Sequence, residues 1–419
     1  MIVMQEFAKG PDKQSIHDTF AQIGTLAYII SMKQDLITSE LSELHSTANR
    51  EVGEQHGKGL KGDVVYLYAF DVANEIITQR VQEILSEKPF PFEIRMDRTL
   101  PKDMPLYKPL AIEPHPLAAK LQGFSVRLLI RIYDVGVVTV MMRVAFELGT
   151  LGDLMVFHNP KLENGDALET VASKLCAEVC ESMKDSIVGR TESPEPPEAY
   201  TVFCLTEIHG VSDVNTWLAT QRREVAGLLT ETAPNRLSDT QVSEVLRIQR
   251  SFENTDLTII DWDAALAIDL TGYVDDVLYA LELANLQLEE FRLMDRRLDK
   301  YLDVAYEDLD RKRLPFFGGS SKKLQHLRRF RVDVAKLTDE VTHITKFFGD
   351  WYLARVYLGA RDRFYLEQWR SSVEQRLAQL DKLYSVVHAE VNEKRMLWLE
   401  IIIVIFFALD LLILLWVKR

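Results

Sequence analysis

The stretch from Met396 to Val417, MLWLEIIIVIFFALDLLILLWV, constrains this chain most: 22 residues are broken only by Glu400 and Asp410. A bilayer core is crossed by about 20 apolar residues in a helix, so the length predicts one membrane span. Trp398 and Trp416 are separated by a helical rise of ~27 Å, which suits the two membrane interfaces. Only Lys418 and Arg419 follow. Near the N-terminus Glu6, Asp12 and Asp18 accompany Lys9 and Lys13, so neither a signal peptide nor a transit peptide is expected. The expectation is a tail-anchored, single-pass membrane protein. Lys394 and Arg395 directly precede the span and place the bulk of the chain in the cytoplasm. Asp410 would lie near the helix centre, where a charge costs at least ~2.5 kcal/mol. Glu400 projects about 80° from it around the helix. Anchors that pack together could satisfy both acids by hydrogen bonds, which predicts a homo-oligomer.

Composition bounds the rest. A length of 419 residues suggests two or three units. The 49 bases and 63 acids leave −14, a surface unsuited to coating nucleic acid. Three cysteines exclude a disulfide scaffold, and Cys176 and Cys180, one turn apart on a helix, read as packing.

From about Tyr273 apolar residues recur at helical spacing. One seam runs from Val274 to Leu309, a second from Leu324 to Trp351 and a third from Leu366 to Val391. Breaks at Leu314–Ser321 and near Gly359–Arg363 separate them. The predicted fold class is α+β: an N-terminal α/β sheet domain, then a long antiparallel three-helix stalk ending in one transmembrane helix. The boundaries are 1–62 for an N-terminal helix and loop, 63–190 for a first α/β half and 191–199 for a linker. A second α/β half at 200–271, the coiled-coil-like stalk at 272–395 and the membrane helix at 396–417 complete the chain.

The first break carries the strongest charge cluster. Arg311, Lys312, Arg313, Lys322, Lys323, Arg328, Arg329 and Arg331 are eight bases with no acid among them; without them the chain stands at −22. An antiparallel stalk would hold this collar beside the bilayer. There each base near an anionic leaflet is worth ~1 kcal/mol. A solvated helix face and an RNA or ribosome contact are the alternatives.

In the N-terminal part, strands are predicted at Asp63–Phe70, Tyr200–Thr206, Leu257–Ile260 and Ala264–Asp269. Val126–Tyr133 and Val137–Phe146 read as a hairpin about Asp134–Gly136. Helices are expected at Glu75–Ser86, Asp166–Val188, Asp213–Leu229 and Thr240–Arg250, packed on one face of a largely antiparallel sheet.

Motifs for chemistry are missing. The chain has no P-loop, no dinucleotide fingerprint, no H-E-x-x-H and no nucleophile elbow. No enzyme activity, cofactor or metal is expected. Asp261 and Asp263 read as strand-end acids at a turn. Alternation puts Arg127 and Arg131 on one face of the hairpin, with Arg143 diagonal to Arg127 on the partner strand. Three guanidiniums there could hold an anion, or simply line a half-exposed sheet.

The segment NEKRMLWLEIIIVIFFALDLL, Asn392 to Leu412, resembles the end of the family named for "required for meiotic nuclear division". Asn392-Glu393-Lys394, Leu399-Glu400 and Asp410 match its pattern, while Ile401 stands where that family has an aromatic. DVVYLYAFDV and DLTIIDWDAALAID resemble its soluble domain loosely. The resemblance implies an oligomeric, membrane-anchored protein of mitochondria or microbes, tied in the mitochondrial case to translation; without a transit peptide it points to a bacterial inner membrane. It carries over no catalytic residue. The expectation is therefore a self-associating membrane scaffold. Its acidic cytoplasmic domain meets a protein partner and its basic collar meets anionic lipid. An anion or metabolite sensor built on the arginine hairpin, and a tether for ribosomes or RNA, are the alternatives.

Overall fold

The computed structural model describes residues 59–84, 90–91, 109–190, 196–269, 273–310, 330–332, 334–335 and 351–417. The chain divides into Met1–Lys58, which lies outside the described residues, and Gly59–Arg419.

The central strand β1 (Leu60–Asp71) is an almost unbroken apolar run, LKGDVVYLYAFD, and such runs are buried on both faces. Val64, Tyr66, Tyr68 and Phe70 enter one core, and Val65 and Leu67 the other. Eight neighbours extend the sheet. They are β3 (Phe90–Pro91), β4 (Leu110–Ile112), β5 (Val126–Ile132), β6 (Val137–Leu148), β8 (Glu198–Ile208), β9 (Gln249–Arg250), β10 (Leu257–Ile260) and β11 (Ala264–Ile268). The order is β3-β4-β5-β6-β1-β8-β11-β10-β9. Every pairing is antiparallel except β8 with β11. Strands from both predicted halves thus share one sheet, and β1 is paired with β6 and with β8. A separate pair joins β2 (Glu75–Ile76) to β7 (Ile187–Val188), so the helix predicted from Glu75 begins later, as α1 (Thr78–Ile84).

Helices cover both faces of the sheet rather than one. A single-sided arrangement would leave one row of β1 side chains in water. On the first face lie a 3-10 helix (Leu151–His158), α2 (Leu168–Ser182), α3 (Val214–Leu229) and α4 (Asp239–Val245). Asp213 starts α3 as an N-cap, accepting from Asn215 N at 3.1 Å. The other face carries α5 (Tyr273–Asp310), α6 (Trp351–Arg363) and α7 (Leu366–Val417).

Where they are described, the predicted stalk helices form a layer of the domain; the break at Leu314–Ser321 and most of the second seam, Leu324–Trp351, lie outside the described residues. Residues 276–291 of α5 are buried all round, between the sheet and the helices α6 and α7. Helix α6 runs through Gly359, where a break was expected. A Cβ there would lie 3.0 Å from Ile248 Cγ2 and 3.2 Å from Ile260 Cδ1, so this glycine serves close packing. The break comes instead at Tyr365, whose φ of 54° is left-handed.

The membrane anchor is corrected. Among the described residues no helix is long and apolar enough to cross a membrane, and the expected single-pass membrane location falls with it. Glu400 and Asp410 bound an apolar run, Ile401–Leu409, of nine residues. At ~1.5 Å per residue that run spans about 14 Å, under half of a hydrocarbon core.

Candidate functional site

Helix α5 is the spine of the polar interior. Asp275, Glu282, Glu289 and Arg296 follow one another at seven-residue spacing, so they line one side of the helix. Each meets a charged partner.

The first joint lies on the arginine hairpin. The turn fits because Gly136, at φ 93°, passes so close to the Ala73 carbonyl that a Cβ would clash with it. Arg127 sits directly opposite Arg143 in the register, not diagonal to it. Arg127 pairs with Asp63 at 3.2 Å, and Arg143 with Asp275 and, at 4.0 Å, with Asp63. Arg131, 3 % exposed, donates to Glu282. Thr139 and Tyr133 donate to the same carboxylate at 2.5 and 3.1 Å. The Arg131 guanidinium also lies over the Tyr279 ring, 5.8 Å from its centroid. Burial lowers the pKa of Arg131 and pushes the Tyr133 phenol up to about 12. The three guanidiniums weighed as an anion site thus face three carboxylates of their own chain.

A second joint closes the far end of β1. Arg292 pairs with Glu198, Arg296 with Glu289 at 3.0 Å, and Arg297 with Asp71 at 3.7 Å and Asn74 at 3.2 Å. Burial pushes the Glu289 carboxyl up to about 7, against the pull of Arg296. A third joint ties α6 to the sheet: Arg363 bonds Asp261 and, at 2.8 Å, Glu244. A fourth ties α7 to α5 through Arg376, which meets Asp299 and, at 3.3 Å, Asp295.

Of the basic collar, Arg311, Lys312, Arg313, Lys322, Lys323, Arg328 and Arg329 lie outside the described residues. Arg331 pairs with Asp381 of α7 at 3.4 Å. Glu400 is exposed on α7; Asp410 lies on the same helix, its side chain outside the described residues. Cys176, Cys180 and Cys204 are buried free thiols. Among the described residues no group of histidines, cysteines and acids is placed to hold a metal.

Two kinds of exposed apolar surface stand apart from this interior. Among the described residues, the α7 side chains in the core lie between Leu366 and Tyr384. From Met396 to Leu409 every side chain is exposed, reaching 71 % at Phe407. Aromatic pairs mark the two ends of α6: Phe252 with Trp351, ring centroids 5.8 Å apart, and Trp262 with Tyr365, 5.5 Å apart.

Residues 61–274, just over half of the chain, match the family model described as "Uncharacterized protein MJ0711, N-terminal domain". The chain belongs to the MJ0711 N-terminal domain family. A curated relative, the MJ0711 protein of Methanocaldococcus jannaschii, is 24 % identical over 220 residues, 52 % of this chain. The match covers 65 % of that relative, under two thirds of its length. No solved structure matches. The MJ0711 family match spans the sheet from β1 to β11 and ends at Val274, inside the first turn of α5. Asp63, Arg127, Arg131 and Arg143 fall within it, whereas Asp275, Glu282 and Glu289 fall beyond it.

Proposed function

We propose that this chain is a self-associating scaffold. The far end of α7 joins copies, and the acidic body is displayed to a protein partner. The observation that carries the reading is a contrast. Charged groups inside the body pair with one another, whereas exposed large apolar side chains are concentrated on α7 beyond Met396. Fourteen of them, from Met396 to Trp416, offer on the order of 1,400 Å², above the ~800 Å² that each partner buries in a standard interface. The resemblance of Asn392–Leu412 to an oligomeric family supports the same reading. The rival, an anion or metabolite sensor using Arg127, Arg131 and Arg143, has less support, because acids of the chain already neutralise those bases. A ribosome or RNA tether would rest on the basic collar alone. No catalytic role is proposed.

Sedimentation of the full chain over a range of concentrations tests assembly. Wild type is expected to form a concentration-dependent oligomer, and the double variant Phe406→Glu/Phe407→Glu to sediment as a monomer. A wild-type monomer at every concentration would overturn the reading. So would an oligomer that survives both substitutions, or a chain that remains monomeric while its apolar end partitions into phosphatidylcholine vesicles.

A further inference from the structure

We propose that Trp262 and Tyr365 form a docking surface for a cationic segment, rich in arginine or lysine, of a protein partner. The inference rests on the reading that the acidic body is displayed to such a partner, and it names that partner's chemistry.

The two rings come from turns more than 100 positions apart in sequence: Trp262 from the β10–β11 turn and Tyr365 from the α6–α7 turn. They lie 5.5 Å apart at 49° and are 39 % and 43 % exposed. Each stands on a locked neighbour. Asp261, just before Trp262, is buried against Arg363, and its carbonyl accepts from the Tyr200 hydroxyl at 3.0 Å. Phe364, just before Tyr365, is buried edge-on to the Tyr200 ring at 5.1 Å. The backbone under this aromatic step is therefore fixed before any partner arrives, which lowers the entropy cost of binding. Tyr365 itself occupies left-handed backbone, where glycine would sit without penalty.

The surroundings are negative. Asp263 is exposed beside Trp262, and among the described residues no base pairs with its carboxylate. Its pKa is raised by burial first, then by the charges of Asp261 and Glu231, against the pull of Arg292, which is itself paired with Glu198. The nearby bases of α6 are engaged: Arg363 with Asp261 and Glu244, and Arg361 with Asp362 at 3.7 Å. Elsewhere the chain caps aromatic faces with its own arginines, Arg355 over Trp351 at 5.0 Å and Arg131 over Tyr279. Among the described residues no such arginine covers Trp262 or Tyr365. A guanidinium or ammonium placed on these rings meets their negative faces and the neighbouring carboxylates together. The net charge of −14 draws such a segment in from a distance.

The test is calorimetric titration of the full chain with a hexaarginine peptide, with hexaglutamate as control. Trp262→Ala is expected to weaken binding about tenfold and Tyr365→Gly about fivefold. Asp263→Asn should weaken it about twofold and flatten its salt dependence. Thermal unfolding of each variant reports folding, and the glycine variant relaxes the backbone, so it keeps the test valid if Trp262→Ala fails to fold. Hexaarginine affinities within about twofold of wild type in both aromatic variants would place the peptide elsewhere on the acidic surface and overturn the proposal. Absence of wild-type binding at low salt would also overturn it. Sedimentation of the same samples separates this outcome from assembly: the aromatic variants should retain the wild-type oligomer.

Discussion

Arg131 on β5 and Glu282 on α5, 151 positions apart, form a buried ion pair. Thr139 and Tyr133 add hydrogen bonds to the same carboxylate, and the Tyr279 ring lies beside the guanidinium. The pair fixes both the height and the rotation of α5 over the hairpin. Removing one partner leaves a desolvated charge, a loss of roughly 3–5 kcal/mol. Glu282→Ala is therefore expected to lower the urea midpoint sharply. Arg131→Met/Glu282→Leu, which removes both charges and keeps the volume, should recover most of the loss. A double variant as unstable as the single one would show that packing, not the charge, is what Glu282 supplies.

Glu289 gives the interior a pH dependence. Its folded-state pKa is raised to about 7, above the range of a carboxyl in an unfolded chain. The folded state thus binds more protons than the unfolded state between about pH 4.5 and 7, so its contribution to stability is full at the acid end of that window and lost as pH rises through 7. The loss amounts to roughly 3 kcal/mol at most, with the pull of Arg296 already contained in the raised value. Glu289→Gln should flatten the stability profile over this window while leaving stability at pH 5 nearly unchanged. Chemical unfolding at pH 5, 6, 7 and 8 checks it; a variant with the wild-type slope would assign the dependence to another group.

Long, locally coded elements were legible in the sequence. Strand β1, the β5–β6 hairpin, β8 and α3 follow from apolar periodicity and the turn glycine. What joins them was not. Strand order depends on pairings such as Ala264 with Thr201, and periodicity carries no information about them. Burial of the first half of α5 also escaped, because its seam looked like a stalk. The seven-residue spacing of Asp275 and Glu282 was a visible signal that this side of the helix faces the arginine hairpin. Apolar content alone misled at Met396–Val417, where the positions of Glu400 and Asp410 decide how far an uninterrupted apolar run extends.

Gly359 offers a test of helix packing. In an open helix glycine-to-alanine adds about 1 kcal/mol of stability. Here the added Cβ would press on Ile248, 4 % exposed, at 3.0 Å and on Ile260, fully buried, at 3.2 Å, so both side chains would have to give way inside the core. Gly359→Ala should instead destabilise by about 1–2 kcal/mol. A gain in thermal midpoint would show that α6 can slide along β9 and β10.

Assembly through α7 should be energetically separate from folding of the body. Among the described residues the core side chains of α7 reach as far as Tyr384, and the exposed apolar stretch includes Met396, a helical rise of roughly 18 Å farther on. An oligomer whose contacts lie beyond the cooperative core adds nothing to the unfolding equilibrium of that core. The body's thermal midpoint is thus expected to be independent of protein concentration. It should also be the same, within about 0.5 kcal/mol, in the Phe406→Glu/Phe407→Glu variant. If the midpoint instead climbs with concentration, mass action couples assembly to folding, and the interface must include residues of the body.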